Sequence, residues 1–451
     1  MAGTDGLINT QLHRLAALQI GIMSLSLSAS AAGLDSNEQR LIDWIDAHPE
    51  PVIELIEKTV NINSGTLNVK GVRAVGQVYR DELEKLGLTT EWIEMPPDMK
   101  RAGHLFAWKK TGDAPRVLMI GHLDTVFEAE EGFQSFRRDG NIAYGPGVDD
   151  MKSGNAVIVY ALKALSATGL LDDIPVVVVM TGDEEFAGSP LSLAKKDLIE
   201  AAKWADIALG FEDGTRFDDT DWATIARRSS SNWYLEVTGK QSHSSQIFTD
   251  DVGTGAIFEA ARILNAFITE VRGEEYLTFN AGTIEGGTDV AYDRGTTRGT
   301  TFGKSNVVPR KAIVDGDLRA ISSQQIDRAV AKMEKIVADG TPHTSASIEF
   351  EHRYPPMAPT DGNRRLQALL SDINEELGRG PMPALDPSRR GAADISFAAP
   401  HADSLAGLGA LGKGGHTPEE TLELDSLPVA IKRAALLLYR LSQNQAVELR
   451  E

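Results

Sequence analysis

Residues 117–126 are Val-Leu-Met-Ile-Gly-His-Leu-Asp-Thr-Val, and this stretch decides the fold. Four apolar residues of the kind found in buried strands lead into Gly121, and His122 and Asp124 follow two positions apart. Because side chains alternate along an extended chain, His122 and Asp124 can face one site. The pattern predicts a buried strand that ends at a metal centre, with later segments supplying further ligands.

Two further apolar runs, 176–180 and 207–211, have the same character and are separated by segments of helical periodicity. Continuous apolar strands that alternate with helices indicate a parallel sheet buried on both faces. In such sheets, sites form beyond the carboxyl ends of the strands. Beyond these three ends the chain places imidazole and carboxylate side chains: His122, Asp124, Asp183, Glu184, Glu185, Glu212 and Asp213. The sequence therefore predicts a functional site at this edge of the sheet.

The pattern changes after the third apolar run. Between Arg228 and Arg353, two helical segments lie among four or so alternating strands, which predicts a small α+β layer of the split βαβ kind. We therefore expect an α/β fold, with a mainly parallel sheet flanked by helices and an inserted α+β domain. The expected boundaries are 32–227 for the first part of the catalytic domain, 228–353 for the insertion and 354–451 for the second part.

The composition limits the possible partners. The 451-residue chain has 45 lysines and arginines against 65 aspartates and glutamates, a formal net charge of −20. Because nucleic acids and anionic membranes are bound by basic surfaces, we expect neither as a partner. The chain contains no cysteine, which excludes disulfides, thiolate metal sites and cysteine nucleophiles. A metal must therefore be held by His, Asp and Glu.

The N-terminus has the features of a signal peptide. His13 and Arg14 precede an apolar run at 15–27, and Ala29-Ser30-Ala31 has the small-x-small form of a cleavage site. The run is too short to span a membrane as a helix. We expect residues 1–31 to be removed on export to the periplasm or medium; a disordered leader on a cytoplasmic protein is the alternative. After the leader, Ser36 and Gln39 fit a capping box that opens a helix.

Five side chains with nitrogen or oxygen donors are the candidate metal ligands: His122, Asp150, Glu185, Glu212 and His416. Such donors suit zinc, and also cobalt or manganese. Two imidazoles and three carboxylates are too many for one tetrahedral ion. They match two ions that lie about 3.5 to 4 Å apart and share one carboxylate.

Three of these ligands have a rival of the same chemical type, in the pairs Asp150 and Asp149, Glu212 and Asp213, and His416 and His401. The Asp-x-Lys spacing in the glycine-rich turn 145–154 favours Asp150. For His122 with Asp124 the alternative is a structural pair at a strand end. For Asp183-Glu184-Glu185 it is a solvated charge patch.

With these motifs the chain resembles the co-catalytic zinc metallopeptidases, a family that includes glutamate carboxypeptidase, aminoacylase, acetylornithine deacetylase and succinyl-diaminopimelate desuccinylase. The resemblance is carried by Gly121-His122-Leu123-Asp124, Asp150-Met151-Lys152-Ser153, Asp183-Glu184-Glu185, Glu212 and His416. It extends over most of the chain, and the Gly-Gly before His416 and the Glu419-Glu420 after it resemble the family more closely than the surroundings of His401 do. It implies that His122 and Glu212 hold one ion, that Glu185 and His416 hold the other, and that Asp150 bridges them.

The resemblance also implies roles beside the ions. Glu184 would be the general base that takes a proton from the attacking water. Asp124 would hydrogen-bond to His122 and fix its tautomer. The family commonly has a cis peptide after the bridging aspartate, so we expect one at Asp150-Met151.

In the insertion, Gly239-Lys240-Gln241-Ser242-His243 resembles the family's lid motif. Its histidine, His243, would reach the site of the partner subunit and stabilise the oxyanion. Asn306 and Arg319 match lid positions that bind substrate in relatives. Gly391 lies where the family has a Gly-Gly-Ser-Asp type turn, but Ala392-Ala393 departs from that pattern.

The expected protein is a two-zinc metallohydrolase that cleaves an amide bond of a peptide or N-acyl amino acid. It most resembles the glutamate carboxypeptidase branch; an aminoacylase or small-acyl deacylase, or a dipeptidase, is the alternative. The insertion argues against an aminopeptidase with a similar two-zinc centre. The expected substrate is a small molecule, and the expected assembly is a homodimer with two zinc ions per subunit.

Overall fold

The structure is a computed structural model that describes residues 33–443. The predicted signal peptide lies outside this range and stays a prediction. None of the helices within the range is long and apolar enough to cross a membrane.

The α-helices of the described chain are α1 (Ser36–Asp46), α2 (Pro49–Val60), α3 (Val69–Glu84), α4 (Gly154–Ala167), α5 (Leu191–Ala194), α6 (Lys196–Trp204), α7 (Gly255–Ala266), α8 (Ser323–Ala338), α9 (Asp361–Glu376), α10 (Ile395–Ala398) and α11 (Ser426–Ser442). The strands are β1 (Thr89–Ile93), β2 (His104–Lys109), β3 (Val117–His122), β4 (Arg137–Asp139), β5 (Ile142–Tyr144), β6 (Val176–Thr181), β7 (Ile207–Gly210), β8 (Thr215–Phe217), β9 (Thr220–Trp222), β10 (Ser230–Gly239), β11 (Thr278–Gly287), β12 (Asp289–Asp293), β13 (Arg298–Phe302), β14 (Lys311–Arg319), β15 (Thr344–Tyr354), β16 (Asp403–Leu405), β17 (Gly412–Lys413) and β18 (Thr421–Glu423).

The main sheet has the strand order β1-β2-β6-β3-β7-β16. Strands β6, β3, β7 and β16 run parallel, and β1 and β2 add an antiparallel edge. The three predicted apolar strands are therefore neighbours, and the mainly parallel sheet is confirmed. Their register places His122 opposite Thr181, so β3 and β6 end at the same edge.

The core lies on both faces of this sheet, and every residue of β3, β6 and β7 is buried. One apolar cluster joins these strands to helices α1 to α4 and α11. Each buried Val, Leu or Ile side chain contributes about 1.5–3 kcal/mol. Gly121 permits the close approach of α4, because an added Cβ would lie 2.1 Å from the Oδ1 atom of Asn155.

The four-stranded sheet β11-β14-β10-β15 is antiparallel throughout. Trp233, Leu235 and Val237 alternate on its buried face, and residues of α7 and α8 complete a separate apolar cluster. The order β10-α7-β11 followed by β14-α8-β15 is the predicted split βαβ arrangement. The inserted α+β layer is thus confirmed as fold class, and the boundaries at 228 and 353 stay a prediction.

One local expectation differs from the structure, and one hairpin was not predicted. Asp35, not Ser36, is the N-cap of α1: its carboxylate accepts from the N–H groups of Asn37 and Glu38, and Glu38 completes the capping box. Aspartate is as good a cap as serine, and its charge is favourable at a helix N-terminus. The sequence was therefore consistent with either Asp35 or Ser36 as the N-cap. The hairpin β12-β13 was not predicted, because its segment is polar and rich in Gly and Thr.

Candidate metal centre

The candidate ligands lie at the ends of strands or in the turns beside them. His122 ends β3, Glu185 follows β6 and Glu212 follows β7. Asp150 lies in the turn between β5 and α4, and His416 in the loop between β17 and β18. Because the parallel strands are in register, these positions meet at one edge of the main sheet.

Asp150 lies between the two histidines. Its Oδ1 atom is 3.0 Å from Nε2 of His122, and its Oδ2 atom is 3.2 Å from Nε2 of His416. Nε2 of His416 is also 3.2 Å from Oε2 of Glu185. The ligand atoms of His122, Asp150 and Glu185 all lie within 4.8 Å of one another. The structure therefore brings four of the five candidate ligands into direct contact.

The contacts of His122 fit a cation. Its Nδ1 atom lies 3.0 Å from the backbone oxygen of Asp124, which can only accept, so Nδ1 carries a proton and Nε2 is the nitrogen available to an ion. Nε2 lies 3.0 Å from a carboxylate oxygen of Asp150, a position in which either a proton or a metal ion can lie between the two atoms. Burial disfavours charge on His122, but Asp124 and Asp150 raise its pKa well above the usual value.

Asp124 does more than hold His122. Its carboxylate is 3.5 Å from Nδ1 of His122, and it accepts hydrogen bonds from Thr66 Oγ1 at 2.6 Å and from the N–H groups of Glu184 and Glu185 at 3.1 and 3.2 Å. Burial opposes its ionisation, yet His122 and Thr66 keep its pKa below the ordinary value. Asp124 thus ties the end of β3 to the turn after β6.

Glu184 is half-buried beside this centre. Burial raises its pKa well above the ordinary value; the carboxylates of Glu212 and Asp394 add to the rise, while His122 opposes it. Its backbone oxygen accepts a hydrogen bond from the Tyr354 hydroxyl at 3.2 Å. A carboxyl group with a raised pKa is suited to both taking and returning a proton near neutral pH.

A buried lysine contacts the turn that follows β6. Nζ of Lys195 lies 2.9 Å from the carboxylates of both Asp183 and Asp394, and Asp394 also accepts from Thr181 Oγ1 at 2.6 Å. Lys195 is fully buried. No motif in the sequence indicated these contacts of Lys195, since Asp394 lies about 200 residues further along the chain.

Glu212 has a partner that the sequence analysis missed. Its Oε2 atom accepts from Nη2 of Arg227 at 2.6 Å, and Nη1 of Arg227 donates to the Gly391 oxygen at 3.0 Å. Glu212, Arg227 and His122 line one small cavity. Glu212 is thus near the other candidates without contacting them. No sequence pattern around Arg227 indicated its position.

The rival residues have other surroundings. Asp213 is held by Arg390 through two hydrogen bonds of 2.9 Å, and Asp149 is buried with its Oδ1 atom unpaired among the described residues. His401 is exposed on the loop before β16. Asp150, rather than Asp149, contacts both histidines. The predicted cis peptide at Asp150-Met151 is present.

The predicted lid residues lie apart from this group. His243 and Asn306 are neighbours, because Ser244 N donates to the Asn306 oxygen at 2.9 Å. Arg319 pairs with Asp317 at 2.9 Å. Within residues 33–443, no hydrogen bond or ion pair joins His243, Asn306 or Arg319 to a candidate ligand. Of the predicted substrate-binding residues, Gly391 alone connects to the centre, through Arg227.

Residues 118–440 match the model of Peptidase family M20/M25/M40, which covers more than half of the sequence. The chain belongs to this family. A metal-dependent hydrolase is therefore the class of the protein, and the resemblance drawn from the motifs is confirmed.

Among relatives, the M20 chain is 26% identical to carboxypeptidase G2 of Pseudomonas sp. (strain RS-16), over 96% of this chain and 99% of that protein. It is 29% identical to succinyl-diaminopimelate desuccinylase of Sulfurimonas denitrificans, over 43% of this chain and 50% of that protein. The first likeness is therefore full-length, and the second covers about half of each chain.

Solved structures share the fold. Aminopeptidase PepT from Bacillus cereus has a TM-score of 0.66 at 17% identity, covering 87% of this chain and 99% of that chain. The YXEP protein of Bacillus subtilis, a dinuclear metal-binding peptidase from the M20 family, has a TM-score of 0.60 at 14% identity, with coverage of 88% and 99%. Coverage of 87% must include part of the insertion, so our argument that an aminopeptidase would lack it is wrong.

Proposed function

We propose that the protein hydrolyses an amide bond of a peptide or N-acyl amino acid, as an exopeptidase of the glutamate carboxypeptidase type. The observation that carries the proposal is the placement of Asp150 between two histidine nitrogens, with Glu185 beside them. The full-length likeness to carboxypeptidase G2 supports the choice of branch.

Two zinc ions are the proposed cofactors. His122 and Glu212 would hold one ion, Glu185 and His416 the other, and Asp150 both. When bound, the ions supply Lewis-acid polarisation of the scissile carbonyl and lower the pKa of the attacking water. To bind the ion, Glu212 would give up part of its hydrogen bonding with Arg227. The oxygen and nitrogen donors also accept cobalt or manganese.

Glu184 would move the proton. It would take a proton from water as the oxygen attacks the amide carbon, and it would deliver that proton to the leaving nitrogen. Asp124 accepts from the backbone N–H groups of both Glu184 and Glu185, which leaves the two side-chain carboxyl groups free for separate roles. The neighbouring glutamates can therefore serve different purposes.

His243 is the proposed oxyanion donor, acting on the site of a second subunit. Its Nδ1 atom accepts from Ser245 N at 3.2 Å, so in the neutral ring Nε2 carries the proton. His243 is exposed, and Nε2 has no partner within the described range. An N–H free to donate is what a developing negative charge on oxygen requires.

A homodimer would bring that histidine to the site. Apolar side chains are exposed on and around α7 and β11: Phe248, Ile257, Phe258, Ile268, Ile284 and Phe302. The rings of Phe248 and Phe258 lie 5.8 Å apart. Strand β11 is also an edge of its sheet. An uncovered apolar patch beside a free strand edge favours a second copy of the chain.

Mixing two inactive variants tests the cross-subunit role. His243→Ala should keep its metal but lose activity, and Asp150→Asn should lose metal. In a mixed dimer, the His243→Ala site receives His243 from the other subunit, so statistical mixing should restore about a quarter of wild-type activity. Activity of re-equilibrated mixtures measures this. Verified mixed dimers without any recovery would show that His243 does not act in trans.

Arg319 is the proposed partner of the substrate carboxylate, with Asn306 and Gly391 as further substrate contacts. Arg319 is half-buried and bound to a single carboxylate, Asp317. Its guanidinium has more donors than Asp317 can satisfy, so it can bind a second carboxylate.

An aminoacylase, a small-acyl deacylase or a dipeptidase would use the same centre. The desuccinylase relatives favour the deacylase among these. Such enzymes would differ in the pocket rather than in the metal ligands.

Chelation followed by metal addition tests the proposed function. Removal of metal should abolish hydrolysis, and Zn²⁺, Co²⁺ or Mn²⁺ should restore it. Release of glutamate from N-acylglutamates, compared with N-acetyl amino acids and dipeptides, separates the carboxypeptidase from the alternatives. If the folded, metal-loaded protein cleaves none of these amides, the proposed function is wrong.

A further inference from the structure

Glu420 is a buried carboxylate that has no role in the proposed reaction. Its side chain is fully buried, whereas the preceding residues of its loop, from Lys413 to Glu419, are exposed. A charged group is removed from water only where other dipoles or charges replace it. The contacts of Glu420 therefore show which groups stabilise its carboxylate and which segment that carboxylate can orient.

Three backbone N–H groups surround this carboxylate. Oε2 accepts from Gly147 N at 2.9 Å, and Oε1 accepts from Asp149 N at 2.8 Å and Asp150 N at 2.9 Å. Gly147 has a positive φ of 72°, which helps to turn successive N–H groups inward. Such a concave set of N–H groups is a typical anion site.

The carboxylate and the turn belong to segments that carry different metal ligands. Glu420 follows His416 by four residues in a compact turn, in which Glu420 N donates to the Thr417 oxygen at 3.1 Å. The turn it contacts carries Asp150, whose carboxylate lies against His416. Glu420 is thus a direct tie between two ligand-bearing loops that lie about 270 residues apart in sequence.

The adjoining strands align the same two loops. Strand β18 begins directly after Glu420, and β5 ends directly before the turn at Gly145. Thr421 pairs with Tyr144 across these strands. The strands set the approach of the loops, and Glu420 fixes the orientation of the backbone from which the Asp150 side chain projects.

We propose that Glu420 is a positioning residue for the metal centre: its carboxylate orients the Asp150 turn relative to His416, so that one carboxylate can contact both ions. The inference rests on the proposed two-metal function. Glu420 does not touch the candidate ligand side chains through its own carboxylate, and it acts through the backbone of Asp150.

Glu420→Gln tests the role. The amide has one acceptor oxygen, and its NH₂ group would oppose at least one backbone N–H. Loss of such a supporting contact should weaken metal affinity about 10- to 100-fold. Zn²⁺ per chain after dialysis against buffered metal, and the visible spectrum of the Co²⁺-loaded protein, measure this without activity. Glu419→Gln, the same change on the exposed neighbour, should leave both readings unchanged.

Unchanged Zn²⁺ affinity and Co²⁺ spectrum in folded Glu420→Gln would overturn the inference. If that variant does not fold, Glu420→Asp takes its place, because it keeps the charge but is one methylene too short to reach all three N–H groups. Failure of both variants to fold would assign Glu420 to fold stability and would also overturn it. Wild-type protein that binds two ions but cleaves no amide would refute the proposed function alone.

Discussion

Glu184→Gln is expected to lower kcat by about 10²- to 10⁴-fold, the usual contribution of a general acid–base. The amide has nearly the same shape as the carboxyl group but cannot take a proton from water. The backbone hydrogen bond from Glu184 to Asp124 is independent of the side chain, so the turn should keep its geometry. Both proposed metal ions should remain bound, because the proposed ligand is Glu185.

Two measurements separate this effect from a structural one. Metal content should equal that of the wild type, and KM should change little relative to kcat. Glu200→Gln, the same change at an exposed site on α6, should leave kcat unchanged. Wild-type turnover by metal-loaded Glu184→Gln would exclude Glu184 as the base.

Asp150→Asn is expected to remove metal from the protein and activity with it. The two carboxylate oxygens of Asp150 lie against His122 and His416, and an asparagine can offer only one oxygen to them. The Asn NH₂ group would face an imidazole nitrogen that must remain free for an ion. Zinc per chain, measured after dialysis, should fall well below that of the wild type, and added zinc should no longer raise Tm.

Asp149→Asn is the matched control for this variant. Burial raises the pKa of Asp149 well above the ordinary value, and the carboxylates of Asp213 and Glu420 add to the rise. An asparagine resembles the neutral acid, so the substitution should be mild. We expect zinc content close to that of the wild type. Metal loss in Asp149→Asn, with retention in Asp150→Asn, would reverse the assignment of the bridging ligand.

The main sheet was predictable because its signal is local. An apolar run of four or five residues followed by glycine and polar ligands identifies a buried strand end, as at 117–126. Parallel strands in register bring such ends together, so His122 and Glu185 could be placed at one edge before their distance was known. The α+β layer was predictable for a similar reason, since alternation along β10 marks its buried face.

The supporting contacts were not predictable in the same way. Arg227 and Lys195 occur in no motif that the sequence analysis recognised, and Glu420 was noted only as part of the surroundings of His416. Each gains its role from partners that are distant in the chain, such as the pairing of Lys195 with Asp394. A single charged residue in a sequence is equally consistent with an exposed surface, so burial and partner had to come from tertiary structure.

Taken by itself, the sequence determined the class of fold, the candidate ligands and the chemistry open to them, because residue type and short-range periodicity carry that information. Only the tertiary structure decided that Asp150, rather than Asp149, contacts both histidines, and that Asp124 holds the Glu184-Glu185 turn as well as His122. The physical reason is that a side chain's direction depends on backbone angles within a turn. Those angles are set by contacts from remote segments, and here Glu420 supplies three of them.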